Sequence, residues 1–124
     1  MKQFKRSERI RSQMLRDIQL LLEHDTAAHL DSLVTFTDVE ITKDLRFAKI
    51  FYSVLGDEKS KSKTSAYLDK IRNRVQAQLG RLLNIKYMPE ISFQFDPSIE
   101  HGMKIEKLFD EIADKRNDKD EENT

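Results

Sequence analysis

Asp38-Val39-Glu40-Ile41-Thr42-Lys43-Asp44-Leu45-Arg46-Phe47-Ala48-Lys49-Ile50-Phe51-Tyr52-Ser53-Val54-Leu55-Gly56 reads as two alternating runs joined by a polar turn. Successive side chains of a strand point to opposite faces. Leu33, Val39 and Ile41 therefore share one face of the first run, and Ala48, Ile50, Tyr52 and Val54 share one face of the second. This predicts a half-buried antiparallel hairpin, with Phe36, Phe47 and Phe51 on the opposite face.

On the N-terminal side of the hairpin, Ile10, Met14, Ile18, Leu21 and Leu22 recur at three and four residues, which predicts an amphipathic helix from about Lys5 to His24. After it, the Lys/Ser-rich segment from Asp57 to Thr64 reads as a mobile loop. Leu68, Ile71, Val75, Leu79 and Leu82 then hold one apolar face in phase, as one long helix or two joined by a kink. Met88-Pro89 ends the helical pattern, and Ile91, Phe93 and Phe95 alternate as a third strand. Asp96-Pro97-Ser98 offers turn and N-cap chemistry for a last helix, whose buried side would be Ile105, Leu108, Phe109 and Ile112. The expectation is an α+β domain with a three-stranded sheet. A strand-to-strand crossover through helices places them on one face.

At 124 residues the chain suits a single domain, here residues 1–113, followed by an acidic tail over 114–124. With 38% hydrophobic and 35% charged residues it can fold and carries a densely ionic surface. The absence of Cys excludes disulfides, thiolate metal sites and a thiol nucleophile. Met1-Lys2-Gln3-Phe4-Lys5-Arg6 is charged rather than apolar, and no stretch is long enough to span a bilayer, so a soluble cytoplasmic protein is expected.

Formal net charge is zero, which taken alone argues against a phosphate-rich partner. Distribution reverses that conclusion. The first 15 residues carry Lys2, Lys5, Arg6, Arg9 and Arg11 against Glu8, and residues 59–86 carry eight cations against Asp69. The balancing acids gather after Phe109. Projected at about 100° per residue, Lys63, Lys70, Arg74 and Arg81 form one stripe, flanked by the short residues Ala66, Asn73, Ala77 and Gly80. Lys2, Lys5, Arg9 and Arg16 align similarly on the first helix. A solvated face ordinarily mixes signs, and these two do not.

The string from Asp38 to Gly56 resembles the signature of ribosome-binding factor A, a bacterial family that acts in maturation of the small ribosomal subunit. Pro89-Glu90-Ile91-Ser92-Phe93-Gln94-Phe95-Asp96 is similar to that family's last strand, and Ser98-Ile99 with Gly102, Ile105 and Leu108 to the segment after it. An opening of the form Arg6-x-x-Arg9-Ile10 completes a resemblance that covers Arg6 to Leu108. The resemblance implies a type II K-homology-like fold, of order α-β-β-α-α-β plus a C-terminal helix. It also implies a monomeric, non-enzymatic assembly factor that binds the 30S subunit and its 16S rRNA during pre-rRNA processing. No cofactor, metal, membrane or small-molecule substrate is implied. Related factors carry an Ala-x-Gly kink between two helices where ordinary K-homology domains have a glycine-rich loop for backbone phosphates. Here the kink falls on Ile71-Arg72-Asn73, and Ala27-Ala28-His29 replaces a family Asp-Pro-Arg before the first strand.

The expected RNA-contacting residues are Lys5, Arg6, Arg9, Arg16, Lys63, Lys70, Arg72, Asn73, Arg74, Gly80, Arg81 and Lys86. Asp38, Glu40 and Asp44 raise a divalent-ion site. Without a His at ligand spacing, a phosphate loop or a nucleophile elbow, however, they read as turn-setting acids paired with Lys43, Arg46 or Lys49. His24, His29 and His101 are not spaced as a metal set. The strand aromatics Phe36, Phe47 and Phe51 would stack bases if bare, but the C-terminal helix is expected to cover them. A protein-interaction module docking on ribosomal proteins through the hairpin and the acidic tail is the alternative reading.

Overall fold

A computed structural model of the chain describes residues 2–98, the side chains of 2–5 excepted. The order is α1 (Lys2–His29), β1 (Leu33–Ile41), β2 (Phe47–Leu55), α2 (Glu58–Leu83) and β3 (Glu90–Phe95). The strands form one sheet in the order β1-β2-β3, with β2 antiparallel to β1 and parallel to β3. The result is an α+β domain of the type II K-homology kind, with both helices on one face. The C-terminal helix, His101 and the acidic tail over 114–124 lie outside the described residues. Among the described residues no helix is long and apolar enough to cross a membrane.

Met14, Ile18 and Leu22 of α1 and Leu68, Val75 and Leu79 of α2 bury their stripe against Val34, Phe36, Val39, Ile50, Tyr52 and Ile91 of the sheet. Leu82, expected in the same stripe, is instead exposed at the end of α2.

Four sequence expectations change. β1 carries a bulge between Phe36 and Asp38: Phe36 opposes Tyr52 and Asp38 opposes Phe51, leaving Thr37 unpaired. One extra residue inverts the alternation. Val34 and Phe36 therefore face the helices together with Val39 and Ile41, and Leu33 turns outward. Phe36, expected on the opposite face, lies in the core with its ring 6.2 Å from Phe93.

The Lys/Ser-rich segment after Asp57 is helix, not loop. Asp57 is the N-cap of α2, accepting the Ser60 N–H at 2.8 Å, and that bond holds its carboxyl below the usual range. Gly56 is required at this entry, since a Cβ there would meet the Ser60 Cβ at 2.8 Å.

α1 runs through Ala27-Ala28-His29, five residues past the expected end. Alanine is the best helix former, and the Thr26 hydroxyl donates back to the Leu22 carbonyl at 2.8 Å.

α2 is one helix rather than a kinked pair. Ile71 is buried in phase with Leu68 and Val75, while Asn73 faces solvent inside regular helix. The asparagine that adopts the left-handed conformation is Asn84, at φ 50° and ψ 45°, where its N–H closes the helix end on the Gly80 carbonyl.

Candidate nucleic-acid interface

Because α2 is uninterrupted, the stripe holds. Lys63, Lys70, Arg74 and Arg81 are all exposed and span about 27 Å at 1.5 Å per residue. Neighbouring charges are about 6–10 Å apart, close to the screening length of about 8 Å at physiological salt, so they reinforce one another. The acids of the helix, Glu58 and Asp69, lie roughly a third of a turn away from this stripe. Lys63, Lys70 and Arg81 make no ion pair among the described residues.

Arg74 differs. It lies where α2 meets α1, with Nη2 3.4 Å from Oδ2 of Asp25. The same carboxylate oxygen accepts the Tyr67 hydroxyl at 2.6 Å. Burial, and then that bond to a carboxylate, push the Tyr67 hydroxyl pKa up. His29 stacks on Tyr67 at 5.4 Å and its Nδ1 lies 2.8 Å from the Asp25 carbonyl oxygen. This cluster pins the C-terminal end of α1 to the middle of α2. Arg74 is half exposed and so remains available in part.

Arg72 is turned away from the stripe, whereas Asn73 and Gly80 stay beside it in regular helix. Arg72 points to β3: its guanidinium lies 3.9 Å from Glu90 and donates to the Ile91 carbonyl. Beside it the Gln76 amide donates to the Pro89 carbonyl at 2.7 Å and accepts the Ile91 N–H at 2.8 Å. The two side chains satisfy backbone groups on an edge strand, which is a structural role. Asn73 is exposed beside the stripe with no special backbone geometry. Over Gly80 the space is taken by Met88, whose Cγ lies 3.7 Å from where a Cβ would stand.

On α1, Arg6, Arg9 and Arg16 are exposed, and the Lys5 side chain lies outside the described residues. Arg11, on another side of the helix, is held by Glu8 and by Asp38 of β1. Asp17 is buried; Gln13 donates to one carboxylate oxygen, and the other has no hydrogen-bond partner among the described residues. Arg6 and Lys86, far apart in sequence, line one cleft. The hairpin acids do not converge. Asp38 goes to Arg11 rather than to Lys43, Arg46 or Lys49. Asp44 accepts from the Thr42 hydroxyl at 2.7 Å and from the Arg46 N–H at 3.1 Å, the hydroxyl bond first among the causes that keep its carboxyl below the ordinary value. Among the described residues no group of His, Asp or Glu could hold a metal ion.

Residues 6–109 match the model of the family described as ribosome-binding factor A. The chain belongs to the ribosome-binding factor A family. The ribosome-binding factor A of Acetivibrio thermocellus is 36% identical over 121 residues, which cover 96% of this chain and 98% of that one. In fold the chain is similar to the crystal structure of ribosome-binding factor A from Thermus thermophilus, at a TM-score of 0.56 and 19% identity, covering 70% of this chain and 92% of that one. It is also similar to a homology model of the Thermus thermophilus factor fitted into a cryo-EM map of a 30S complex, at a TM-score of 0.53 and 19% identity, with 73% and 91% covered. The string that resembles the family's signature is the hairpin, whereas the one-sign stripe lies on α2. Sequence periodicity located that stripe. The partners of Arg72 and Arg74 carried no such signal.

Proposed function

We propose that this chain is a monomeric, non-enzymatic factor that binds the 30S subunit in the cytoplasm during maturation of its 16S rRNA. In this reading its helical layer faces the RNA. Lys63, Lys70 and Arg81, with part of Arg74, neutralise phosphates, and Arg6, Arg9 and Arg16 extend the contact along α1. The observation that carries the proposal is the single-sign stripe on an unbroken α2, mostly without ion pairs among the described residues, in a chain whose family is named for ribosome binding. The Thermus thermophilus relative fitted into a 30S complex supports it. Phosphate contacts fix register without chemistry, and a factor that binds one RNA conformation better than others shifts the population toward it.

The test places a photo-crosslinker at position 70 or, on the opposite face of the sheet, at position 40, in complexes with precursor and mature small subunits. Crosslinks to 16S rRNA from position 70 and not from position 40 are expected. RNA crosslinks from position 40 alone would move the RNA contact from the helical layer to the opposite face of the sheet, and only protein crosslinks from either would replace this reading with docking on ribosomal proteins.

A further inference from the structure

At the end of the domain where β3 begins, a cleft of about 740 Å³ opens between the start of α1, the β1–β2 turn and the connection from α2 to β3. Small-ligand sites commonly occupy about 300–1,000 Å³. Three cations line it, Arg6, Arg46 and Lys86, one from each of these segments. Its two acids are already engaged: Asp44 turns to Thr42 and the Arg46 N–H, and Glu90 faces Arg72 at 3.9 Å. Two aromatic rings lie on its rim. Tyr87 is 78% exposed and Phe47 50% exposed, and the Lys86 ammonium stands 5.5 Å from the Tyr87 ring centroid.

The turn that supplies Arg46 and Phe47 is held in an uncommon shape. Leu45 has φ 60°, a left-handed conformation disfavoured for side chains other than glycine. It persists because Thr42 pins both ends: its N–H donates to the Phe47 carbonyl at 3.0 Å, its hydroxyl accepts the Phe47 N–H at 3.1 Å, and its carbonyl accepts the Leu45 N–H at 2.9 Å. Strain of this kind is retained where the surrounding structure enforces it, and it gathers at binding sites.

We propose that the cleft takes an unpaired nucleotide of single-stranded RNA, its base stacked on Tyr87 and its phosphate among Arg6, Arg46 and Lys86. The inference rests on the RNA-binding reading above and assigns it a second, distinct subsite. Exposed rings beside cations that make no ion pair among the described residues are the combination that single strands use, bases stacking while the charges follow the backbone. An acidic peptide would use the cations and leave the rings idle. The α2 stripe also ends close by in sequence, since Arg81 lies in the last turn of α2, four residues before Ile85, which lines the cleft.

The test compares two fluorescein-labelled RNAs by anisotropy with the full chain, single-stranded hexauridylate and a blunt hairpin duplex. Loss of one base–aromatic stack corresponds to roughly a five- to 150-fold change in affinity. Tyr87→Ala should weaken hexauridylate binding within that range and leave the hairpin unchanged, while Tyr87→Phe keeps the ring and binds like the parent. Lys70→Gln with Arg81→Gln should weaken the hairpin. Tyr87 is exposed, so the melting temperature should not move. Unchanged hexauridylate affinity in Tyr87→Ala would overturn the proposal, as would an equal loss in Tyr87→Phe. Hairpin binding without hexauridylate binding would remove the cleft subsite and leave the stripe standing. Failure of both RNAs would remove the RNA reading itself. Capture of a polyglutamate peptide as tightly as hexauridylate, with the same sensitivity to Tyr87→Ala, would assign the cleft to a protein partner.

Discussion

Neutralising Lys70 and Arg81 together, as Lys70→Gln and Arg81→Gln, isolates the electrostatic part of the proposed contact. Both are exposed and neither makes an ion pair among the described residues, so the fold loses nothing. Arg74 is the wrong choice for charge reversal, because a glutamate there would face Asp25, whose carboxylate now lies 3.4 Å from the guanidinium. Each phosphate contact to a duplex contributes about 0.9 to the slope of log K against log salt. Four stripe contacts would give a slope of about −3.6, and the double variant, with two left, about −1.8. Between 50 and 200 mM salt the stripe's share of the affinity loss should then be about 150-fold in the parent and about 12-fold in the variant, the α1 contacts adding equally to both. The assay is binding of labelled chain to purified small subunits across that range. Parallel lines with the same slope would refute the reasoning, since they would mean that neither side chain meets a phosphate.

Two further outcomes concern the fold that presents this surface. Deleting Thr37 removes the bulge and forces either Val34 with Phe36 or Val39 with Ile41 out of the core. At about 1.5–3 kcal/mol per large side chain the loss is about 3–6 kcal/mol, a large share of a typical stability of about 5–15 kcal/mol. Thr37→Ala keeps the bulge and gives up only the 2.8 Å hydrogen bond to Asp96, about 1 kcal/mol. Urea midpoints that fall equally for the two variants would mean that the bulge does not set the strand's facing. The second outcome concerns acid. The carboxyls of Asp57 and Asp96 are both held below the ordinary 3.8, by the Ser60 N–H and by the Ser98 hydroxyl respectively. A depressed folded pKa adds stability that is present above the unfolded value and is lost as pH falls through the folded one. Melting temperature should therefore drop below about pH 4. In Asp57→Asn, which keeps the cap acceptor but cannot ionise, that drop should be shallower. Identical acid limbs in the two proteins would assign the acid sensitivity to other groups.

Periodicity identified the helices, the second strand and the α2 stripe, because 3.6-residue and two-residue repeats are imposed by the local backbone and are written into Met14-Ile18-Leu22, Leu68-Ile71-Val75-Leu79 and Ala48-Ile50-Tyr52-Val54. The first strand misled, since a bulge at Thr37 shifts the pattern by one residue with no glycine or proline to mark it. The Lys/Ser composition after Asp57 suggested a loop, but the cap on Ser60 and the burial of Thr64 and Leu68 outweigh the poor propensity of serine.

Which cations are free was beyond any pattern. Arg72 and Arg74 stand two residues apart on one helix, yet one clamps the edge of β3 and the other meets Asp25, 49 residues away. Arg6, Arg46 and Lys86 carry no shared spacing either, and they converge because the ends of α1, the hairpin turn and the entry to β3 meet at one end of the sheet. A side chain's place on its own helix follows from its neighbours in the chain. Its ionic partner follows from which distant segment the packed core brings within a few ångströms.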